Sequence, residues 1–347
     1  MRKLSISIVA FSVFTASFLS GSAEASPVLL LQGSAVVQEK VDDVKKKAKQ
    51  AASKAQDKTQ RKPHDTNVIV TSDWLTKEQD KKSGDIRILD LALRKTNYKT
   101  GHIPGAVFVD WRNEIVDDKD PQLYSLPSQD RMEKLMSKLG ISNNTMVILA
   151  DNTKNRMSVR MFFTMKYFGH KNVRILDGGT TAWAKSGKKM TGDIPEIKTA
   201  QYKIGKMDKS FVVSLQAVEK AIKKDVALVD GRPVQHFSGE AFGRTFHQNK
   251  PHKKKGHIPG AINIPWESNM NADSTFKSLD ELRELYEKHG IDTDSEVVAY
   301  CNEGLHAAMP WFILTQLLGN SQTTVYDNSM AEWANMDNQP MEMGTSK

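Results

Sequence analysis

The hexapeptide Gly101-His102-Ile103-Pro104-Gly105-Ala106 recurs, residue for residue, as Gly256-His257-Ile258-Pro259-Gly260-Ala261. Each copy runs into a short apolar stretch and then a tryptophan, Trp111 or Trp266. Identity over a whole motif, at comparable places in two halves of a chain, identifies one structural unit written twice. Working outward, further matches lie at a constant offset of 150: Val147-Ile148-Leu149-Ala150-Asp151 with Val297-Val298-Ala299-Tyr300-Cys301, Gly169 with Gly319, Asp177 with Asp327, and Trp183 with Trp333. Upstream, Ile88-Leu89-Asp90 matches Leu228-Val229-Asp230. Asp151 therefore occupies in the first half the position that Cys301 holds in the second.

In each half, short β-branched runs alternate with helix-like segments; Glu296 to Tyr300, for example, precedes the apolar stretch from Ala307 to Leu318. That alternation predicts an α/β chain of two tandem domains, each a mainly parallel sheet with helices on both faces. A length of 347 residues suits two domains plus extensions. The expected division is 1–25 signal peptide, 26–66 basic spacer, 67–192 first domain without the reactive residue, and 193–347 second domain with it.

The leader is read from Arg2 and Lys3 ahead of the apolar stretch Leu4 to Leu19, with Ala23-Glu24-Ala25 as the small-residue cleavage signal. An anchored N-terminal helix is the alternative. A periplasmic or secreted location follows from cleavage, and past the leader no apolar run approaches the roughly 20 residues that span a bilayer. The net charge of +8 raises the question of nucleic acid, but nine Lys or Arg against four acids between Val36 and Lys62 account for most of it. That segment has no aromatic residue for base stacking and reads as a solvated spacer, so no nucleic-acid partner is expected.

A single cysteine cannot form an intramolecular disulfide, so the thiol points to chemistry, the alternative being a small buried hydrophobe. Cys301 follows a predicted strand and precedes a helix, where parallel sheets place ligand loops. The run Cys301-Asn302-Glu303-Gly304-Leu305-His306-Ala307 can curl so that its N–H groups and the helix N-terminus form an anion nest, with Gly304 supplying conformational freedom. Such a cradle is expected to lower the thiol below its ordinary pKa of about 8.5.

The paired Gly-His-Ile-Pro-Gly-Ala motifs, the Asp230-Gly231-Arg232 triplet, the Cys301 loop and the Tyr326-Asp327 to Glu332-Trp333 segment resemble the tandem rhodanese family over about residues 68–340. In that family the second domain carries the cysteine and the first lacks it. The resemblance implies a sulfurtransferase: Cys301 takes sulfane sulfur from a small anionic donor of the thiosulfate or 3-mercaptopyruvate type and passes it to a thiol or cyanide-like acceptor. It implies no metal or organic cofactor, and a monomer is expected. The implied substrate contacts are Arg232, His236, Asn302, Glu303, Gly304, Leu305 and His306.

The sequence also departs from the family. Asn302 and Glu303 replace the basic residues that thiosulfate-preferring members place after the cysteine, and His236 replaces a second arginine. Asn328 stands where its counterpart in the first half is Gly178. Arg232 can bind substrate or pair with Asp230; His306 can polarise the donor or line the rim. His102 and His257, present in both halves, read as structural pins. About 15 extra residues between Asp230 and Gly256, with Arg244, His247, Lys250, His252 and Lys253 to Lys255, form either a basic flap or a solvated loop. A cysteine phosphatase needs an arginine where Ala307 stands and is set aside. A non-catalytic module that carries sulfur or binds a partner is the remaining alternative.

Overall fold

In the computed structural model the described residues are 68–81, 86–117, 123–246 and 248–345. The expected leader and basic spacer lie outside them, as does His247. Among the described residues no helix is long and apolar enough to cross a membrane.

The first sheet consists of β1 (Ile69–Val70), β2 (Ile86–Asp90), β3 (Val107–Phe108), β4 (Met146–Ala150) and β5 (Val173–Leu176), in the order β1-β5-β4-β2-β3. The second contains β6 (Ala227–Asp230), β7 (Ile262–Asn263), β8 (Val297–Tyr300) and β9 (Thr323–Val325), in the order β7-β6-β8-β9. Every ladder is parallel, as strands joined by helical crossovers require. The second order repeats β3-β2-β4-β5 of the first, and a single parallel bridge from Val212 to Val325 stands in for the fifth strand. The chain is thus α/β, with two domains of like topology, each built on a parallel sheet.

The helices are α1 (Ser72–Asp80), α2 (Lys95–Thr100), α3 (Gln129–Lys138), α4 (Arg156–Tyr167), α5 (Gly179–Lys185), α6 (Leu215–Lys223), α7 (Val234–Phe237), α8 (Leu279–Lys288), α9 (Ala308–Trp311) and α10 (Ser329–Trp333). The chain after α9 continues as a π-helical segment, Phe312–Leu317.

The repeated hexapeptide has a local physical explanation. Ala106 N–H donates to Ile103 O at 2.9 Å and Ala261 N–H to Ile258 O at 3.1 Å, closing a four-residue turn in each half. Proline presets the second position, and the third needs φ > 0, which Gly105 (79°) and Gly260 (76°) supply. The buried histidines pin these turns. His102 Nδ1 bonds Tyr98 O at 2.8 Å while its ring stacks on Tyr98, and His257 Nδ1 bonds Phe237 O at 2.8 Å and stacks on Phe237.

The two halves share one core. From Met157 to Met165, every residue of α4 is buried, because the helix is covered by its own sheet on one side and by the second domain on the other. Phe162 meets Phe312 edge-on with ring centroids 5.0 Å apart, and Phe163 meets Trp311 at 5.0 Å. Burial of such rings is worth about 1.5–3 kcal/mol each, so the interface stabilises both halves together.

Candidate active site

Strand β8 is buried along its whole length and delivers Cys301 to its carboxyl end, 1% exposed. The following residues curl back on the thiol. Sγ accepts the N–H of His306 at 3.3 Å and of Glu303 at 3.5 Å. The back of the loop is fixed by Ser329, whose Oγ accepts from Cys301 N–H (3.0 Å) and Gly304 N–H (3.2 Å) and donates to Tyr326 O (2.8 Å). The start of α10 then bonds the loop carbonyls, Met330 N–H to Cys301 O and Ala331 N–H to Asn302 O. Gly304, at φ 78°, has no room for a side chain, since a Cβ would collide with the Asp327 carboxylate and carbonyl oxygen.

The thiol's ionisation differs from the sequence expectation. Burial pushes Cys301 up to about 11, although the N–H groups of Glu303, Ala307 and His306 pull it down; the Glu303 charge adds to the rise. The predicted nest forms, but desolvation of a fully enclosed sulfur outweighs its dipoles.

The matching loop of the first domain shows what the cradle is built for. Asp151 Oδ1 accepts N–H groups from Thr153 (2.6 Å) and Asn155 (3.1 Å) and the Thr153 hydroxyl, and Oδ2 accepts Ser158 N–H at 2.8 Å. A carboxyl side chain fills the nest there, whereas the second domain holds a sulfur. Asp151→Ala should therefore lower stability by about 3 kcal/mol, because several buried donors lose their acceptor. Chemical denaturation checks this, and an unchanged midpoint would show that the carboxylate is dispensable.

The other residues expected at the site take different parts. Arg232 is buried and committed: Nε reaches both Asp230 oxygens at 2.9 and 3.0 Å, and Nη2 bonds Asp230 Oδ2 at 2.6 Å and Gly256 O at 2.9 Å. Asn302 links two histidines, Nδ2 donating to His236 Nδ1 at 3.3 Å and Oδ1 accepting from His252 Nε2 at 3.2 Å. Burial, reinforced by Arg232, holds His236 below the ordinary imidazole range; burial also lowers His252 to about 4. Leu305 lies in the core. Glu303 is buried rather than solvated, with Oε1 accepting Phe246 N–H at 2.7 Å.

That last bond reveals the role of the long insertion. Phe246 stacks on Trp111 of the first domain at 5.4 Å and 15°, and Gly243 packs so closely that a Cβ would lie 2.7 Å from Asn302 Oδ1. The three lysines that end it turn elsewhere, Lys253 toward Asp337, Lys254 onto Gln339 O and Lys255 over Phe242, while Arg244 bonds Asn249. The segment is an aromatic cover rather than a basic flap. Among the described residues no three His, Cys, Asp or Glu side chains gather as metal ligands.

The first domain also reaches into the site. Arg160 of α4, fully buried, pairs with Asp327 through Nη1 and through Nη2 at 3.3 Å, and its Nη1 donates to Gly304 O at 3.3 Å and Nη2 to Tyr124 O at 3.1 Å. Burial opposes the Arg160 charge, and Asp327 outweighs it. A lone arginine inside the apolar run Met157 to Met165 was the visible signal, but its partner 167 residues away was not. Ser329 was also missed; the offset of 150 pairs it with Gly179, and both take positive φ, 51° and 57°.

Comparison with known proteins agrees with this geometry. The sequence profile described as Rhodanese-like domain matches residues 71–186 and again 214–336. The sulfur carrier protein TtuD of Thermus thermophilus is 36% identical over 281 residues, covering 80% of this chain and 97% of that protein. A Haloferax volcanii protein provisionally named thiosulfate sulfurtransferase is 33% identical over 281 residues, covering 80% of this chain and 97% of its own. The crystal structure of SseA from Escherichia coli, described as a 3-mercaptopyruvate sulfotransferase, superposes with a TM-score of 0.66 at 25% identity, covering 76% of this chain and 98% of that one.

Proposed function

This chain belongs to the rhodanese family, and we propose that it moves sulfane sulfur from a small anionic donor to a thiol or cyanide-like acceptor through a persulfide on Cys301. The observation that carries the proposal is the sole cysteine sulfur of the chain, placed at the end of a central parallel strand with loop N–H groups aimed at it. With thiosulfate, the Cys301 thiolate attacks the outer sulfur; the new S–S bond forms as the old one breaks, and its electron pair leaves on sulfite. The N–H groups of Glu303 and His306 hold the negative charge that passes to the terminal sulfur. Cyanide or a thiolate then attacks that sulfur and returns Cys301 as thiolate.

Intact-protein mass spectrometry tests this. Incubation with thiosulfate or 3-mercaptopyruvate should add about 32 Da, one sulfur, and cyanide should remove it. Failure of both donors to load the protein would refute the persulfide. The enclosed thiol also favours a second reading: a sulfur carrier that holds its load away from water and turns over slowly, in keeping with the name of the Thermus relative. Stoichiometric loading with slow release to cyanide would select it. Export through the Leu4 to Leu19 segment, with action as a monomer outside the cytoplasm, is part of the proposal.

A further inference from the structure

We propose that Arg156, a residue of the cysteine-free domain, is the cation that holds the anionic group of the sulfur donor over Cys301, with the His306 imidazole donating beside it. This rests on the persulfide reading. The need for such a residue is evident from the second domain itself: the loop from Asn302 to Ala307 contains no Lys or Arg, and Arg232 is tied to Asp230 and Gly256.

Arg156 stands at the start of α4, at the offset of 150 from His306, and the two domains turn these equivalent loops toward each other. Arg156 Nη1 lies 3.4 Å from His306 Nε2. The guanidinium is flanked by rings, 4.6 Å from the centroid of Phe246 and 5.1 Å from that of Trp266. Aromatic faces steady a cation without neutralising it, and among the described residues Arg156 makes no ion pair.

Two further atoms point to a ligand. Arg156 Nε and His306 Nδ1 are buried without a hydrogen-bond partner among the described residues. Arginine only donates, so His306 Nε2 accepts from it and the imidazole proton sits on Nδ1. Both orphaned atoms are therefore N–H donors, a costly arrangement that an oxygen-rich anion would satisfy. Burial also works against the Arg156 charge, and an arriving anion offsets that.

His306 spans the distance that matters. Its backbone N–H donates to Cys301 Sγ at 3.3 Å and its ring tip meets Arg156. His306 thus joins the guanidinium to the thiol loop through one residue, so that a donor held at Arg156 keeps its sulfonate or carboxylate end outward and its sulfane end toward the thiol.

The test compares wild type, Arg156→Gln and Arg156→Lys in two assays. In the first, the rate at which thiosulfate adds sulfur to Cys301 is followed by mass spectrometry across donor concentrations. Arg156→Gln should raise the half-saturating concentration about tenfold or more and leave the limiting rate within about threefold; Arg156→Lys should recover part of the affinity. In the second, sulfite should protect Cys301 of the wild type from iodoacetamide, and Arg156→Gln should lose that protection at unchanged melting temperature. Equal half-saturation in wild type and Arg156→Gln, or no sulfite protection of the wild type, overturns the assignment. A wild type that never gains sulfur sinks the persulfide reading instead, while the sulfite assay still judges Arg156.

Discussion

Cys301→Ser should abolish sulfur transfer, lowering turnover by at least about 10⁴-fold, the scale on which removal of a catalytic nucleophile acts. The hydroxyl fits the same space and can accept the N–H groups of Glu303 and His306 that now point at sulfur. It is, however, a poor nucleophile toward sulfur and forms no persulfide. The expected result is a folded protein with a melting temperature close to that of the wild type and no mass gain from thiosulfate. Steady-state assay with thiosulfate and cyanide, run beside calorimetry, checks both halves of the statement. Substantial turnover in the serine protein would move the nucleophile elsewhere.

Arg160→Met should be the most damaging substitution outside the cysteine. Methionine replaces the volume of the arginine stem but leaves Asp327 buried without its cation, and breaking such a pair costs about 3–5 kcal/mol. For a unit of this size that corresponds to a fall in melting temperature of roughly 10 °C. The loop carrying Cys301 loses its bond from Arg160 to Gly304 O at the same time, so sulfur loading should slow as well. The double variant Arg160→Met with Asp327→Asn removes the stranded charge and should regain much of the loss. Scanning calorimetry on wild type, single and double variants decides the matter; a melting temperature for Arg160→Met within about 2 °C of wild type would show that the pair stabilises nothing.

The fold was legible because its signals are local or repeated. The Ile-Pro-Gly-Ala turn is specified by adjacent residues, so its two copies located both sheets, and the offset of 150 put Asp151 and Cys301 at the ends of equivalent strands. The site was legible only as far as the same logic extends. The loop from Cys301 to Ala307 reads correctly as a nest because its N–H groups belong to neighbouring residues. Whether Arg232 binds substrate or pairs with Asp230 stayed open, since no linear pattern shows whether a carboxylate two residues away faces the guanidinium or solvent. Phe246 was invisible among lysines and histidines, because its importance comes from Trp111 in the other half. The thiol's pKa was misjudged because dipoles can be inferred from a loop, whereas the enclosure that overrides them requires every surrounding chain segment.

The all-round burial of α4 has a consequence for how this duplicated chain can change. Each half supplies polar partners to the other: Arg160 to Asp327 and Gly304, Asn155 Nδ2 to Ser274 O, and in the reverse direction Phe276 N–H to Asp177. A duplication that once offered two interchangeable copies has become a pair of obligate complements. Substitutions at Arg160 and Asp327 are therefore epistatic, and a half recombined from a diverged relative arrives with the wrong partners across the seam. The cysteine-free half is kept from drifting by the same contacts, although it carries no thiol.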